Sequence, residues 1–174
     1  MMTPMFDQRR SFWTLETSLY LGLFALALGL RFLNLGASPL NDPEAREALT
    51  VLRFLRGQPE LALPHSPAYF FFTALSFFAL GASEMTARLA PALCGAGLVL
   101  LPWMFRDLLG RAPALATAAL LAVSSGLLAA SRSADGSVIA LFTFVLGLGL
   151  AWQSRRSSST AGLIGAAAAW GVLA

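Results

Sequence analysis

Six long apolar runs, separated by short polar or Gly/Pro-containing breaks, limit what this chain can fold into more than any other feature of its sequence. They cover residues 15–35, 68–80, 89–105, 114–130, 138–152 and 161–174. Hydrophobic residues make up 57% of the 174 positions and charged residues only 12%, about half the charged fraction of an ordinary soluble domain. Because a globule of this size cannot bury so much apolar surface, the runs predict an all-α integral membrane protein in a lipid bilayer.

The twelve basic residues are all arginines, and they are scattered along the chain. The net charge of +3 therefore belongs to loops that flank apolar runs rather than to one concentrated basic surface. A nucleic-acid partner is excluded on this ground. Cys94 is the one cysteine, so an intrachain disulfide and a multi-cysteine metal site are excluded as well.

The run at 68–80 decides the expected topology, because a helix needs about 20 residues to cross the hydrocarbon. If this run crossed, the loop with Arg106 and Arg111 would lie outside together with Arg155 and Arg156, against the positive-inside rule. If the run lies along the outer surface instead, all of these arginines are cytoplasmic. We therefore expect about five transmembrane helices plus membrane-surface helices, in a multi-pass protein of a prokaryotic plasma membrane.

This topology predicts a simple order of segments. They are a cytoplasmic N-terminus (1–14), a first transmembrane helix (15–35), an outer loop (36–84) and four further transmembrane helices (85–174). The first run is followed by no small-residue cleavage site, so we expect it to be a retained span. The last run ends within apolar sequence, which predicts a truncated helix and a longer parent protein.

The outer loop is expected to hold two surface helices, at about 42–56 and 67–80. Asp42 followed by Pro43 is typical of a helix start, where Asp42 is an N-cap, a functional carboxylate or both. Apolar residues then recur at helical spacing, as in a helix that lies on a membrane. The second helix is rich in aromatic residues, which suit the headgroup boundary.

Charged and polar residues of the two outer loops should meet on one membrane face. They are Asp42, Glu44, His65, Arg132 and Asp135. Ordinary structural roles are open for most of them: Glu44 would complement the helix dipole, and Arg132 would pair with Asp135 within its loop.

Three further charged residues lie at the ends of the predicted spans. Arg31, at the outer end of the first helix, is expected to snorkel to the headgroups, where it could also hold a lipid phosphate. Glu84 and Arg88, four residues apart, are expected to pair at a helix entrance.

In their order and spacing, these segments resemble the N-terminal part of the GT-C superfamily of polyprenyl-phosphate-dependent glycosyltransferases, especially protein mannosyltransferase-like and aminoarabinose-transferase-like proteins. The matching stretches are RFLNLGASPLNDPEAREA, HSPAYFFFTALSFFALGASEMTARLAPALCGAG, RDLLGRAPALATAALLAVSS and SRSADGSVIALF. The family carries an Asp-Glu pair, a His-x-Pro helix start and a second-loop Asp. The corresponding residues are Asp42 with Glu44, His65 with Pro67, and Asp135.

The resemblance implies transfer of a sugar from a polyprenyl-phosphate donor to an acceptor on the outer face. A carboxylate would take the acceptor's proton. Because Pro43 separates Asp42 from Glu44, both carboxylates remain candidates for this role. We favour Asp42. Cations would stabilise the leaving phosphate; the candidates are Arg31, His65, Arg88 and Arg132. Asp135 would help to bind Mg²⁺ or Mn²⁺ in relatives that use a divalent cation.

A second class of function also fits. Members of the superfamily are much longer, so the chain is either the N-terminal module of such an enzyme, which we do not expect to be active by itself, or a family-derived, non-catalytic subunit. In the latter case its Gly- and Ala-rich helices would pack against membrane-protein partners in a larger complex, for example an energy-transducing one. A transporter or channel is less favoured, because no charged residue interrupts the middle of a span.

Overall fold

Helices account for nearly all of the backbone in the computed structural model, which describes residues 15–58, 65–157 and 160–171. The helices of these residues are α1 (Leu15–Phe32), α2 (Asp42–Leu55), α3 (Pro67–Leu80), α4 (Glu84–Gly97), α5 (Arg106–Leu109), α6 (Arg111–Val123), α7 (Ser125–Ser131), α8 (Ser137–Ser157) and α9 (Thr160–Gly171). A 3-10 helix, Leu98–Phe105, joins α4 to α5. The predicted all-α class is confirmed for the described residues. The N-terminal segment 1–14 and the last residues of the final run lie outside them.

Capping residues explain where the helices of the outer loop begin. The Asn41 side chain accepts a hydrogen bond from the Glu44 backbone N–H, and the Glu44 carboxylate accepts one from the Asn41 backbone N–H, which forms a capping box. Pro43 fits the first turn, where its missing N–H is not needed. Of the roles left open for Asp42, that of the N-cap is wrong, because Asn41 fills that position and Asp42 is the first helical residue.

A continuous helical rod from Glu84 to Leu109, made of α4, the 3-10 helix and α5, forms the centre of the bundle. It contacts α1, α3, α6, α7 and α8. Small residues allow these close approaches: a Cβ added at Gly95 would overlap the side chain of Ser131 on α7 and would come within 3.0 Å of Arg31 Nε. The core is thus built on short side chains, as expected for helices that pack inside a membrane.

Three helices of the described residues are long and apolar enough to cross a membrane: Leu15–Phe32, Glu84–Leu109 and Ser137–Arg156. A fourth crossing requires α6 and α7 to act as one broken span, since they meet at an angle of 57°. The break follows from Ser124, whose side chain caps α7 by accepting from the Leu127 N–H. Helix α9 is shorter than a span. The expected five spans are therefore not confirmed.

Large apolar side chains cover the outside of the bundle. Examples with more than 60% of their surface exposed are Leu15, Leu33, Phe71, Phe78, Leu80, Leu108, Leu120 and Ile164. Helix α2 packs Ala48 and Val51 inward and leaves Leu49 and Leu55 exposed. Such extensive exposed apolar surface is not found on ordinary soluble monomers and fits a membrane protein.

Candidate functional site

The polar residues singled out above gather at one end of the bundle, which we call the site end. There the C-terminal end of α1, the N-terminal ends of α2 and α3, and the loop between α7 and α8 meet. Three adjoining cavities open at this end, of about 910, 480 and 560 Å³. The first and second share His65 and Asp135 in their walls, and the first and third share Asn41, Glu44 and Ser133.

A buried ion pair between Glu44 and Arg88 connects the segments that form the site end. Arg88 Nη2 donates to Glu44 Oε2 at 2.7 Å, and each side chain is only 6% exposed. Arg88 also donates to the carbonyls of Leu35 (3.2 Å), Ser38 (2.9 Å) and Pro39 (3.2 Å). The expected pair between Glu84 and Arg88 is wrong, because the guanidinium is turned toward the loop after α1 and holds it in place.

Glu44 accepts hydrogen bonds from three donors in all. Besides Arg88, these are the backbone N–H of Asn41 (3.1 Å) and the backbone N–H of Ala134 in the loop before α8 (2.9 Å). Burial alone would raise the pKa of Glu44, but these hydrogen bonds and the charge of Arg88 hold its pKa below the ordinary carboxyl value. Glu44 therefore stays ionised and joins three segments of the chain.

Asp42 differs from Glu44 although only Pro43 separates them. Its side chain is exposed and lines the first cavity. Among the described residues no hydrogen bond or ion pair engages its carboxylate. Because Asn41 takes over the capping of α2, Asp42 remains free to meet a ligand in the cavity.

His65 stands between the first and second cavities, directly before α3. Its Nδ1 lies 3.0 Å from Oε1 of Glu47, and its side chain is 94% exposed while that of Glu47 is 19% exposed. Glu47 lies on α2, one turn after Glu44, and also lines the first cavity. The two residues form an imidazole–carboxylate pair at the site end.

Asp135 lies in the loop before α8 and organises it. One carboxylate oxygen accepts from Ser133 Oγ at 2.6 Å, and the other accepts from the backbone N–H of Ser137 at 2.7 Å and from the Ser137 hydroxyl. This is a local turn in which an Asp side chain satisfies the first N–H groups of a helix. Asp135 still lines both the first and the second cavity.

Arg132 lines the third cavity. Its Nη2 donates to the carbonyls of Leu33 (2.9 Å) and Asn34 (3.3 Å) after α1. The expected pairing of Arg132 with Asp135 is wrong, since each has other partners. Arg132 remains half-buried with a face toward the cavity, whereas Arg88 in the same wall is committed to Glu44.

Arg31 is fully buried at the end of α1 and lines none of the three cavities. Its guanidinium donates to the carbonyls of Ala27 (3.2 Å), Ala122 (3.5 Å) and Leu121 (3.3 Å). The last two carbonyls are without helical partners because α6 ends at Val123. The expectation that Arg31 snorkels to headgroups is wrong: the side chain ties α1 to the broken end of α6.

The structure therefore brings Asp42, Glu44, His65, Arg88, Arg132 and Asp135 to one end, and places Arg31 beneath them within the bundle. Sequence reasoning missed Glu47, Asn41 and the backbone N–H of Ala134. The helical spacing of Glu44 and Glu47, three residues apart, was a usable signal for Glu47, because such residues lie on neighbouring faces of a helix. The role of Ala134 had no sequence signal, since a backbone group carries none.

The residues that the structure describes include no group of three or more His, Cys, Asp and Glu side chains that could hold a metal ion. Both oxygens of Asp135 already accept from serines of its own loop. The divalent cation that the resemblance allows stays a prediction, and the proposed chemistry takes no step through one.

Comparisons with protein-family models, curated proteins and solved structures give no match for this chain.

Proposed function

We propose that this chain is a membrane glycosyltransferase-like module that transfers a sugar from a polyprenyl-phosphate donor to an acceptor at the site end, on the extracytoplasmic face of a prokaryotic plasma membrane. One observation carries the proposal. A free carboxylate, Asp42, and an arginine, Arg132, line adjoining cavities at one end of a bundle of apolar helices.

The contrast between the two carboxylates supports Asp42 as the base. A general base needs a carboxylate oxygen within reach of the acceptor's proton. Glu44 is buried and already accepts from three donors, and its lowered pKa makes it a weak proton acceptor. Asp42 is exposed in the larger cavity.

The third cavity supports a position for the donor lipid. Its wall includes Arg132 and the hydroxyl-bearing Ser38, Ser125 and Ser133. Guanidinium and hydroxyl groups are suitable donors to a phosphate. Leu35, Leu128 and Ala129 line the same cavity and offer apolar surface for the first part of a polyprenyl chain.

In the proposed reaction the acceptor occupies the first cavity and gives its proton to an Asp42 carboxylate oxygen. The acceptor atom forms a bond to the anomeric carbon, and the bond from that carbon to the phosphate oxygen breaks with inversion. The electron pair leaves on the polyprenyl phosphate, whose negative charge Arg132 stabilises. Glu44 and Arg88 take no proton and hold α2 against the loop before α8.

Reconstitution of the protein, purified from its own membrane, in liposomes with undecaprenyl-phosphate-[³H]mannose and a soluble acceptor alcohol tests the proposal. We expect sugar to leave the donor, and Asp42→Asn to slow its release by about 10²- to 10⁴-fold, the usual contribution of a general base. Asp107→Asn is the matched control, because Asp107 is an exposed carboxylate outside the site end and should retain the wild-type rate.

A release rate that Asp42→Asn leaves unchanged would contradict the assignment of the base. A well-folded wild-type protein that releases no sugar from mannosyl or aminoarabinosyl donors would contradict the transferase and favour the alternative of a non-catalytic membrane subunit.

A further inference from the structure

His65 lies where three segments of the chain come together, and its exposed ring pairs with one of them. Its Nδ1 is bonded to Glu47 of α2, and the next residue, Ser66, is pressed against Gly136 of the loop before α8. A Cβ added at Gly136 would overlap the Ser66 side chain. Because Ser66 also caps α3, the backbone next to His65 is held between α3 and the loop before α8, while the ring itself is exposed and pairs with Glu47.

The charges around His65 differ from those expected at a phosphate site. Glu47 contacts the ring, and Asp135 shares both of its cavities. Among the described residues that line the second cavity there is no arginine. The two arginines of the first cavity, Arg46 and Arg53, lie on α2. A phosphate in the second cavity would therefore meet Asp135 without a described arginine, whereas Arg132 offers a cationic position in the third cavity.

A buried tyrosine, Tyr69, lies on α3 one turn after His65. Tyr69 is fully buried on α3, and its hydroxyl donates to the Ala87 carbonyl at 3.1 Å. Burial raises the pKa of Tyr69 to about 12, with further contributions from the charges of Glu47, Glu44 and Asp135. The acceptors in the cavity walls beside His65, Glu47 and Asp135, suit this side of the site to hydroxyl groups, because carboxylates and a neutral imidazole accept hydrogen bonds from hydroxyls.

We propose that Glu47 is a positioning residue that keeps the proton of the neutral His65 ring on Nδ1, so that Nε2 accepts a hydrogen bond from a hydroxyl of the substrate. The hydroxyl belongs to the transferred sugar or to the acceptor. This inference rests on the proposed function for its ligand, and it replaces the expectation that His65 binds the donor phosphate. The hydrogen bond that a histidine ring makes at one nitrogen decides which nitrogen carries the proton.

His65 is the one histidine of the chain, so ¹⁵N-histidine labelling gives NMR signals from this ring alone. In the wild-type protein at about pH 8.5, where an ordinary imidazole is neutral, we expect Nδ1 to be the protonated nitrogen. Glu47→Ala should lower the ratio of Nδ1–H to Nε2–H about tenfold, the effect of losing one hydrogen bond of typical net energy. Glu47→Gln keeps an acceptor oxygen and should restore most of the ratio.

The matched control is Glu84→Ala, which removes a half-buried carboxylate at the start of α4, where no described ion pair involves it. It should leave the ratio unchanged. A ratio that is the same in the wild type and in Glu47→Ala would overturn the positioning role.

Two lipid probes then identify the ligand of Nε2. Undecaprenyl-phosphate-mannose should shift the Nε2 signal while leaving it unprotonated, and undecaprenyl phosphate without sugar should not shift it. This pattern supports a sugar hydroxyl. A shift that requires a soluble acceptor alcohol together with the mannosyl lipid supports an acceptor hydroxyl.

Protonation of Nε2 by the sugar-free lipid would overturn the proposal, because it would make His65 a phosphate ligand. If the Nδ1–H to Nε2–H ratio depends on Glu47 but neither lipid shifts the Nε2 signal, the proposed hydrogen bond to a substrate hydroxyl is overturned. In that case sugar release measured on the same preparation separates the two claims: release would preserve the transferase, and its absence would reject it.

Discussion

The two ends of the helix bundle use charge in opposite ways. At the site end, Glu44 and Arg88 are each 6% exposed and make several short hydrogen bonds across three segments. At the other end, Glu16 lies 3.9 Å from both Arg106 and Arg111, and Arg111 is 86% exposed. Arg156 pairs there with Asp107, with more than half of each side chain exposed.

The charges at the two ends therefore have different effects: the buried pair stabilises the fold, whereas the exposed arginines influence which side of the membrane their end faces. A buried pair removed from water is strongly coupled to the loops that surround it, and losing one partner leaves an uncompensated charge. Exposed pairs contribute little to stability, and arginines at a helix end instead favour a cytoplasmic location. At the site end, Glu44 and Arg88 thus stabilise the fold. Asp42 and His65 line the first cavity and are accessible to a ligand.

Replacement of Glu44 should have the largest effect. Glu44→Ala leaves the Arg88 guanidinium buried without a counter-charge, so we expect the free energy of unfolding to fall by about 3–5 kcal/mol. Denaturant unfolding in detergent micelles measures the loss. The double variant Glu44→Leu/Arg88→Met should be less destabilised than Glu44→Ala, because it removes both charges; equal or greater destabilisation would contradict the assignment of a buried pair.

Closing the space at Gly136 should have the next largest effect. Gly136→Ala places a methyl group against Ser66, and we expect a loss of about 1–3 kcal/mol, as for other overpacked positions. The same variant should move the His65 NMR signals. Gly22→Ala is the control, because no atom lies near its added Cβ; a larger loss there than at Gly136 would contradict the close contact.

The pH dependence of stability should show the contribution of the ionised Glu44 carboxylate at the site end. The folded protein lowers the pKa of Glu44, so its contribution is fully present above the ordinary carboxyl pKa of about 4.3 and is lost as the pH falls through the lowered value. The stability difference between the wild type and Glu44→Gln should therefore shrink below about pH 4. A difference that grows on acidification would contradict the direction of this shift.

The smallest effect is expected at the opposite end. Arg156→Gln removes an exposed pair and should cost less than about 1 kcal/mol, with even that difference reduced by added salt. Unfolding at low and high ionic strength checks this. A loss similar to that of Glu44→Ala would remove the contrast between the ends.

Local patterns in the sequence predicted much of the fold. The Asp42-Pro43 start, the aromatic run and the apolar runs predicted helices at about 42–56 and 67–80, and the structure has helices at Asp42–Leu55 and Pro67–Leu80. The break between α6 and α7 was missed, because Ser124 interrupts a run whose composition remains apolar.

Contacts between distant segments could not be predicted in the same way. Glu44 and Arg88 are 44 residues apart and meet through tertiary packing, so the local spacing favoured the wrong partner, Glu84. Arg31 looked like a snorkelling residue from its place at a helix end. Its true partners are carbonyls of α6, about 90 residues away, which only the folded bundle brings near.

Two nearly adjacent carboxylates, Asp42 and Glu44, have different surroundings, and we propose that they have different roles. Thermal unfolding and sugar release from undecaprenyl-phosphate-mannose to a soluble acceptor alcohol, measured for Asp42→Asn and Glu44→Gln in one preparation series, test this difference. We expect Asp42→Asn to unfold at the wild-type temperature and to lose release, and Glu44→Gln to unfold at a clearly lower temperature. A Glu44→Gln protein that is as stable as the wild type but inactive, beside an active Asp42→Asn protein, would contradict the proposal.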